Sequence, residues 1–397
     1  MEDLRNKQET LQEIRRNAIE VDNYNFLDAY VREKQIVLLG ESSHGIGDYF
    51  SEKIKMIKYL HEHHGFNIVV FENGLVESTI SKERSSFEES ELVLQQHFMD
   101  IYHNEEMLPL FKDSWAQNLT ITGMDVQPMY REASDYYIQT IKNKLDEGTY
   151  ELLQNAENQY FELDELLLNT KKIKHLKPTI IACIQSYKEL LDKAHLKDEL
   201  QHTMLFGKFL QNRIDWLNLN LKGVFSSGAE RAKYMYKNVE WLLKFYRGEK
   251  LIIWGHNFHI RKGQTWLTKL LRIENVGYSL QKTMREECFT IGLYTGSGQY
   301  ASLYRNEFDI QFHHKHHLEK VCNEISAKTV FLPFIDTNFS AKKWVLLESS
   351  MGSNYPKRIV PQKHYDAIIC LKNVRLPKYL ARRNKLNNDS VENEELT

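Results

Sequence analysis

Two apolar runs, each followed at once by a motif rich in glycine and histidine, constrain the fold of this 397-residue chain most strongly. Residues 35–39 precede Gly-Glu-Ser-Ser-His-Gly at 40–45, and residues 250–253 precede Trp-Gly-His-Asn-Phe-His at 254–259. Short, β-branched runs of this kind are typical of strands that are covered on both faces of a sheet. Because loops at the carboxyl ends of such strands line the ligand crevice of an open α/β sheet, we expect the two motifs to meet at one site.

Two further predicted strands end on carboxylates. Residues 67–71 lead to Glu72, and residues 119–124 lead to Asp125. A carboxylate at the end of a buried strand is costly unless it is paired or lies in a solvated cleft. Four apolar strands that each end on a titratable residue therefore indicate an active site.

The expected architecture is an α/β fold with a mostly parallel β-sheet flanked by helices and a large all-helical insertion or cap. Amphipathic spacing over residues 48–64, between the first two strands, predicts a βαβ unit with parallel strands. Residues 75–117 show helical spacing with a break near Pro109, and residues 130–247 show helical spacing with almost no strand signal. Later strands are predicted at 275–280, 289–294, 329–332, 344–348 and 367–371.

These patterns predict an α/β core from residues 1–129 and 248–380, interrupted by the helical insertion 130–247. A separate helical domain is the alternative for that middle stretch. Residues 381–397 are polar and charged with few large apolar side chains, which predicts a flexible carboxyl-terminal tail.

Composition excludes several classes of function. The formal net charge of −2 gives no electrostatic argument for binding nucleic acid or an anionic membrane. The four cysteines are scattered without a C-x-x-C pair, so neither a zinc knuckle nor a redox dithiol is indicated. The charged amino terminus lacks the apolar segment of a signal peptide, and no apolar stretch is long enough to span a bilayer. We therefore expect a cytoplasmic protein that acts on a small molecule, without nucleic-acid or membrane partners. The sequence does not determine the oligomeric state, and a monomer is one of the options.

Several catalytic motifs are absent from the sequence. There is no G-x-S-x-G nucleophile elbow, no H-E-x-x-H, no phosphate-binding G-x-x-x-x-G-K-[ST] loop, and no G-x-G-x-x-G after the first strand. The remaining candidates for catalytic groups are histidines with neighbouring carboxylates. His44 is a candidate base for activating water, with Glu41 or Glu72 orienting its ring. The alternative is that His44 only caps the helix that follows.

The second motif offers further groups. One of His256 and His259 can donate to an oxyanion or leaving group, while the other supports it or packs in the core. Their spacing also suits a metal, but no recognisable ligand spacing links the two halves of the chain, so we expect no metal or other cofactor. Lys53 and Arg231 can bind a carboxylate or stabilise negative charge, with a solvated helix face as the alternative.

Two histidine-rich stretches follow no predicted strand and lie among charged residues, so we expect them at the surface. They comprise His61, His63, His64, His313, His314, His316 and His317.

The ordered set of motifs resembles the erythromycin esterase family from residue 36 to residue 371. The carrying segments are G-E-S-S-H-G, then F-E-N-G at 71–74, then G-M-D-V-Q at 123–127, and finally an arginine-led helix into W-G-H-N-F-H-I. The resemblance implies hydrolysis of the macrolactone ester of 14-membered macrolides such as erythromycin, and hence macrolide resistance. It also implies a water nucleophile that needs no obligate metal.

The resemblance assigns roles to seven residues. His44 matches the family's general base, and Glu41 and Glu72 match its essential carboxylates. His256 and His259 match its H-N-x-H pair, and Arg231 matches its arginine. Asp125 matches the aspartate of its G-[FM]-D motif, and we expect this residue to contact the substrate. Lys53 stands where the family often has arginine; lysine keeps the charge but loses the planar fork that binds a carboxylate at two points.

Two other functions stay open at this stage. One is a metal-dependent ester or phosphoester hydrolase of unknown substrate, which a chelator would inactivate. The other is a non-catalytic homologue that binds its ligand stoichiometrically without turnover.

Overall fold

The computed structural model describes residues 2–81, 89–169, 175–193, 200–222, 224–312, 317–350 and 353–382. The strands in these ranges are β1 (Ile19–Glu20), β2 (Ile36–Leu39), β3 (Phe66–Gly74), β4 (Thr120–Asp125), β5 (Lys250–Trp254), β6 (Cys288–Thr295), β7 (Gln299–Ala301), β8 (Glu307–Asp309), β9 (Thr329–Pro333), β10 (Trp344–Ser350), β11 (Ser353–Ile359) and β12 (Ala367–Leu371).

Helices account for most of the remaining described chain. They are α1 (Glu2–Asn17), α2 (Asp28–Val31), α3 (Gly47–His64), α4 (Leu75–Thr79), α5 (Ser90–His97), α6 (Pro109–Lys112), α7 (Arg131–Ile141), α8 (Glu147–Asn169), α9 (Lys177–Lys193), α10 (Leu200–Leu221), α11 (Val224–Phe245), α12 (Asn257–Ile260), α13 (Trp266–Leu270), α14 (Val276–Thr283) and α15 (Leu318–Asn323).

The centre of the fold is a mostly parallel sheet of eight described strands in the order β1-β9-β12-β6-β2-β5-β3-β4. The six strands from β12 to β4 are parallel, β9 is antiparallel to β12, and β1 is antiparallel to β9. Strands β7–β8 and β10–β11 form two separate two-stranded ribbons. The predicted α/β class with a mostly parallel sheet is confirmed.

Both faces of the sheet are buried, as the continuous apolar runs predict. In β2, Ile36 and Leu38 pack into one core, and Val37 and Leu39 pack into the other. Helix α3 covers the second face, and the helices of residues 131–245 share the first core. Because successive side chains of a strand point to opposite faces, a strand covered on both sides must be apolar throughout.

Strand β5 lies between β2 and β3, although those two are consecutive parallel strands joined by α3. The connection from β2 to β3 crosses one face of the sheet, and the connection from β5 to β6 crosses the opposite face. The direction in which successive strands are added along the sheet therefore reverses at the β2–β5 pair. Leu39, Trp254 and Phe71 stand side by side in register. The loops that follow these three strands therefore emerge together, at the kind of switch point where open α/β sheets bind ligands.

Two local predictions are wrong. The sequence predicts a strand at 275–280, but these residues begin helix α14, because the Asn275 side chain accepts a hydrogen bond from the Tyr278 amide at 2.8 Å and caps the helix. The apolar residues Val276 and Leu280, four apart, form its buried face. His317, expected at the surface, is fully buried, with Nδ1 3.5 Å from a carboxylate oxygen of Glu319.

The other predictions have mixed outcomes. Residues 75–81 and 89–117 form short helices, and Pro109 begins α6 rather than breaking a longer one. The strand predicted at 344–348 exists, but it pairs with β11 outside the main sheet. Of the remaining histidines in the two stretches, His63 is exposed and His61 and His64 are partly buried. His313, His314 and His316 lie outside the described residues.

The described residues between β4 and β5 are helical, and they share one hydrophobic core with the sheet. The division into a core at 1–129 and 248–380 and an insertion at 130–247 stays a prediction. Most of the predicted tail, residues 383–397, lies outside the described residues. Within the described ranges, no helix combines the length and apolar character that crossing a bilayer requires.

Candidate active site

Glu41 lies at the centre of the loop after β2, with only 1% of its surface exposed. One carboxylate oxygen accepts from His44 Nδ1 at 2.7 Å. The other accepts from Lys53 Nζ at 2.7 Å and from the Trp254 indole at 3.1 Å. Burial acts to raise the pKa of Glu41, but the charges and hydrogen bonds of Lys53 and His44 outweigh it and lower the pKa below its usual value. Glu41 is therefore an ionised, fully hydrogen-bonded group beneath His44.

Close packing fixes the backbone of this loop. The Ser42 amide donates to the Leu293 carbonyl at 3.1 Å, and the Ala301 amide donates to the Gly45 carbonyl at 2.8 Å. A Cβ atom at Gly45 would lie 2.0 Å from the Ala301 carbonyl oxygen, so only glycine fits there. The loop that carries His44 is therefore locked against its neighbours rather than free to move.

His44 is the base candidate, and its surroundings set its tautomer. Because Glu41 is ionised, the Nδ1–H of His44 donates to it and Nε2 carries the lone pair of the neutral ring. The side chain is 20% exposed. Burial acts to lower the pKa of His44, but its hydrogen bond to Glu41 and the charge of Glu72 outweigh it and raise the pKa above its usual value. The ring can thus accept a proton from water at Nε2.

Glu72, at the end of β3, binds the second motif rather than His44. One of its oxygens accepts from His259 Nε2 at 3.1 Å, and the other accepts from the backbone amide of His256 at 3.0 Å. Burial acts to raise the pKa of Glu72, yet His259, His44 and Arg231 together hold it well below its usual value. Glu72 therefore fixes both histidines of the H-N-F-H loop.

His256 is held in the neutral form. Its Nδ1 accepts from the Phe258 amide at 3.1 Å, so the proton of the neutral ring is on Nε2. That Nε2 is buried without a hydrogen-bond partner among the described residues. The His256 ring lies 5.0 Å from the His44 ring, centroid to centroid. Burial, with the charge of His44, lowers the pKa of His256 to about 3. The result is an unsatisfied hydrogen-bond donor beside the candidate base.

Asp125 and Arg231 form the third acidic–basic pair. Both carboxylate oxygens of Asp125 accept from Arg231 Nε at 3.1 Å, and the Val126 amide donates to the same carboxylate at 2.8 Å. Asp125 is fully buried, whereas the Arg231 side chain is 27% exposed and lies 3.6 Å from Glu72. Burial acts to lower the pKa of Arg231, but Asp125 outweighs it and raises the pKa. Arg231 rather than Asp125 is thus accessible to solvent.

The structure brings all eight predicted site residues into one cluster at the carboxyl ends of β2, β3, β4 and β5. Four members keep some exposure to solvent, namely His44, His256, His259 and Arg231. For Lys53 we expect binding of a carboxylate or stabilisation of negative charge, with a solvated helix face as the alternative. The side chain is fully buried, its Nζ binds the Glu41 carboxylate at 2.7 Å, and it lies 4.6 Å from the Trp254 ring centroid. This placement favours a role in holding Glu41 rather than in touching substrate.

Sequence reasoning assigned no role to two residues that hold the site together. Trp254 ends β5 and donates to Glu41, and Asn257 donates to the Leu293 carbonyl at 3.3 Å. A Cβ atom at Gly40 would lie 1.9 Å from the Asn257 side-chain oxygen, so the two motifs pack directly on each other. Both residues belong to the motif at 254–259, and this membership is the feature of the sequence from which their role could have been predicted. Among the described residues, no three histidine, cysteine or acidic side chains are arranged to hold a metal ion.

Comparison with known proteins agrees with this architecture. A family model described as erythromycin esterase matches residues 61–374. "Putative hydrolase YbfO" of Bacillus subtilis (strain 168) is 28% identical over 302 residues, 69% of this chain and 67% of that protein. "Erythromycin esterase type II" of Escherichia coli is 22% identical over 317 residues, 71% of this chain and 74% of that protein.

A similar fold is found in the solved structure of a mutant of erythromycin esterase EreC in its open conformation. The two chains are 14% identical, with a TM-score of 0.65 over 88% of this chain and 93% of that one. The family and the names of the relatives support a hydrolase. Since the family model matches most of its length, this chain belongs to the erythromycin esterase family.

Proposed function

We propose that this protein hydrolyses the macrolactone ester of 14-membered macrolides such as erythromycin, using a water molecule that His44 activates. The observation that carries the proposal is the 2.7 Å hydrogen bond between Glu41 and His44 Nδ1, which directs the lone pair of Nε2 away from Glu41 in a partly exposed ring. The family and the Escherichia coli relative support the choice of substrate.

The first step is proton abstraction. Neutral His44 takes a proton from water at Nε2, and the ionised Glu41 stabilises the imidazolium that forms. The resulting hydroxide attacks the lactone carbonyl carbon and gives a tetrahedral oxyanion. Lys53 keeps Glu41 ionised and in place, since its Nζ lies 2.7 Å from the carboxylate.

The second step is collapse of the tetrahedral intermediate. The buried Nε2–H of His256 is a preorganised donor for the oxyanion, and the exposed part of Arg231 adds positive charge at the cleft. The imidazolium of His44 then returns its proton to the leaving alkoxide as the C–O bond breaks. One water is consumed, and the ring opens to a hydroxy acid without a covalent enzyme intermediate.

The test is mass spectrometry of erythromycin incubated with the purified protein. We expect a product heavier than erythromycin by one water, and the same product after treatment with a chelator. Glu41→Gln is the matched variant, because it keeps the shape of the side chain and removes the charge that stabilises the imidazolium. Unreacted erythromycin with the unaltered protein would contradict the proposal, and loss of activity with chelator followed by recovery with zinc or manganese would contradict the metal-free mechanism.

A further inference from the structure

A β-hairpin outside the main sheet borders the loop of His44. It consists of strands β7 and β8 and the turn 302–306 between them. Ala301, the last residue of β7, donates its amide to Gly45, which directly follows His44. Since a residue advances the chain by at most about 3.6 Å, the start of the turn lies beside the catalytic loop.

The turn holds its own shape. The hydroxyl of Ser302 accepts from the amides of Tyr304 at 3.3 Å and Asn306 at 3.2 Å. The Ser302 amide donates to the Asn306 carbonyl at 2.8 Å, which closes the turn. Arg305 adopts a positive φ of 65°, a conformation that an arginine keeps only when its surroundings impose it. The side chains at positions 303 and 304 are therefore carried on a rigid support.

Arg305 connects this turn to the segment that follows α5. Its guanidinium donates to both oxygens of Asp100, at 3.0 and 2.7 Å, and lies 4.3 Å from the ring centroid of Tyr379. Asp100 follows Met99, whose amide donates to the side chain of Asn73 at 3.0 Å, and Asn73 directly follows the catalytic residue Glu72. The turn is therefore connected both to the loop after β2 and, through Asp100, to the segment that packs against the end of β3.

Large apolar side chains are exposed along this border. Tyr304 is 79% exposed, Leu303 is 44% exposed, and Tyr130 is 40% exposed. Tyr130 belongs to the group because its ring centroid lies 5.9 Å from that of His103, whose Nδ1 lies 3.4 Å from a carboxylate oxygen of Asp100. A cluster of exposed apolar side chains on the border of a polar site is typical of a surface that binds ligand.

We infer that Leu303, Tyr304 and Tyr130 form an apolar rim that binds the hydrocarbon face of the macrolactone ring and selects large ring esters over small ones. This inference rests on the proposed function. The exposed catalytic groups of the site are all polar, so they can contact the ester but offer no apolar surface to the rest of the ring. Aromatic side chains on a fixed turn give contact area with little loss of conformational entropy on binding.

The test compares a large and a small ester. In Leu303→Ala/Tyr304→Ala we expect KM for erythromycin to rise about tenfold or more, because apolar area leaves the interface, with kcat changed less than about twofold. Hydrolysis of p-nitrophenyl acetate should stay unchanged, since it is too small to reach the rim. Ile335→Ala is the matched control, because Ile335 is 51% exposed just after β9, at the opposite edge of the sheet.

An unchanged KM for erythromycin in the double variant would overturn the rim. A parallel fall in activity toward both esters, with kcat reduced, would also overturn it, because that pattern indicates damage to the catalytic loop. If the unaltered protein does not hydrolyse erythromycin, the proposed function fails by itself, and the rim is then judged by equilibrium binding of erythromycin. Binding that weakens in the double variant but not in Ile335→Ala supports the rim, whereas equal binding by all three proteins, or no binding by any, contradicts it.

Discussion

Substitution of Lys53 by methionine leaves the buried carboxylate of Glu41 without its ammonium partner. Both side chains are at most 1% exposed, and the two charged atoms lie 2.7 Å apart. At that separation the attraction is on the order of 6 kcal/mol for an effective dielectric constant of about 20. The cost of desolvating both ions offsets much of this attraction, but removing one partner alone leaves an uncompensated buried charge and costs about 3–5 kcal/mol.

The assay is urea denaturation, with the free energy of unfolding taken from the midpoint and the slope. With a slope of about 3 kcal/mol per molar, a loss of 3 kcal/mol lowers the midpoint by roughly 1 M. Glu41 can instead take up a proton, which limits the loss of stability but removes the charge that stabilises the His44 imidazolium. When Glu41 takes up the proton, kcat on erythromycin falls by roughly 10²-fold or more.

Two controls separate charge from packing. Lys53→Arg keeps the cation and should retain more stability and activity than Lys53→Met. The double variant Lys53→Met/Glu41→Gln removes both charges, so it should unfold at a higher urea concentration than Lys53→Met alone. If Lys53→Met unfolds within 1 kcal/mol of the unaltered protein and stays fully active, the argument that Lys53 holds Glu41 is refuted.

Two more predictions concern the site directly. His44 must be neutral to act, and its pKa is raised above 6.5, so kcat/KM should fall as the pH drops through a value above 6.5. Glu72→Gln removes a charge that raises the pKa of His44, so it should move this inflection to lower pH. A pH profile whose inflection is unmoved or shifted upward in Glu72→Gln would count against this role of Glu72. His256→Phe should lower kcat about 10²- to 10³-fold with little change in KM, because the phenyl ring fills the space of the imidazole but donates no hydrogen bond. Steady-state kinetics that show only a higher KM would contradict the role of His256 in stabilising the oxyanion.

The sequence predicts the strands of the site well because each is a continuous apolar run. Such runs arise only where both faces of a sheet are covered, and β2, β3, β4 and β5 all occur where they are expected. The pairing of Glu41 with His44 also follows from sequence, since the two residues lie three positions apart in one loop. By contrast, residues 275–280 form part of a helix rather than the predicted strand, because the Asn275 side chain caps the first turn.

The order of strands could not be read from the chain, and it decides the partners within the site. Because β5 lies between β2 and β3, Glu72 meets His259 and the His256 amide instead of the His44 ring. Position 53, however, did carry a signal. Lys53 stands three residues after Phe50 and four before Ile57, so it shares the apolar face of α3 and is buried with them.

The central claim is that one imidazole, His44, activates water for attack on the lactone. The most direct measurement is the rate of hydrolysis of erythromycin by His44→Asn. His63→Asn, which changes an exposed histidine at the end of α3, is the control, and urea midpoints are measured for both proteins. The account predicts that His44→Asn keeps its midpoint and loses about 10²- to 10⁴-fold in kcat, while His63→Asn is unaffected. Hydrolysis by His44→Asn at the rate of the unaltered protein would contradict it.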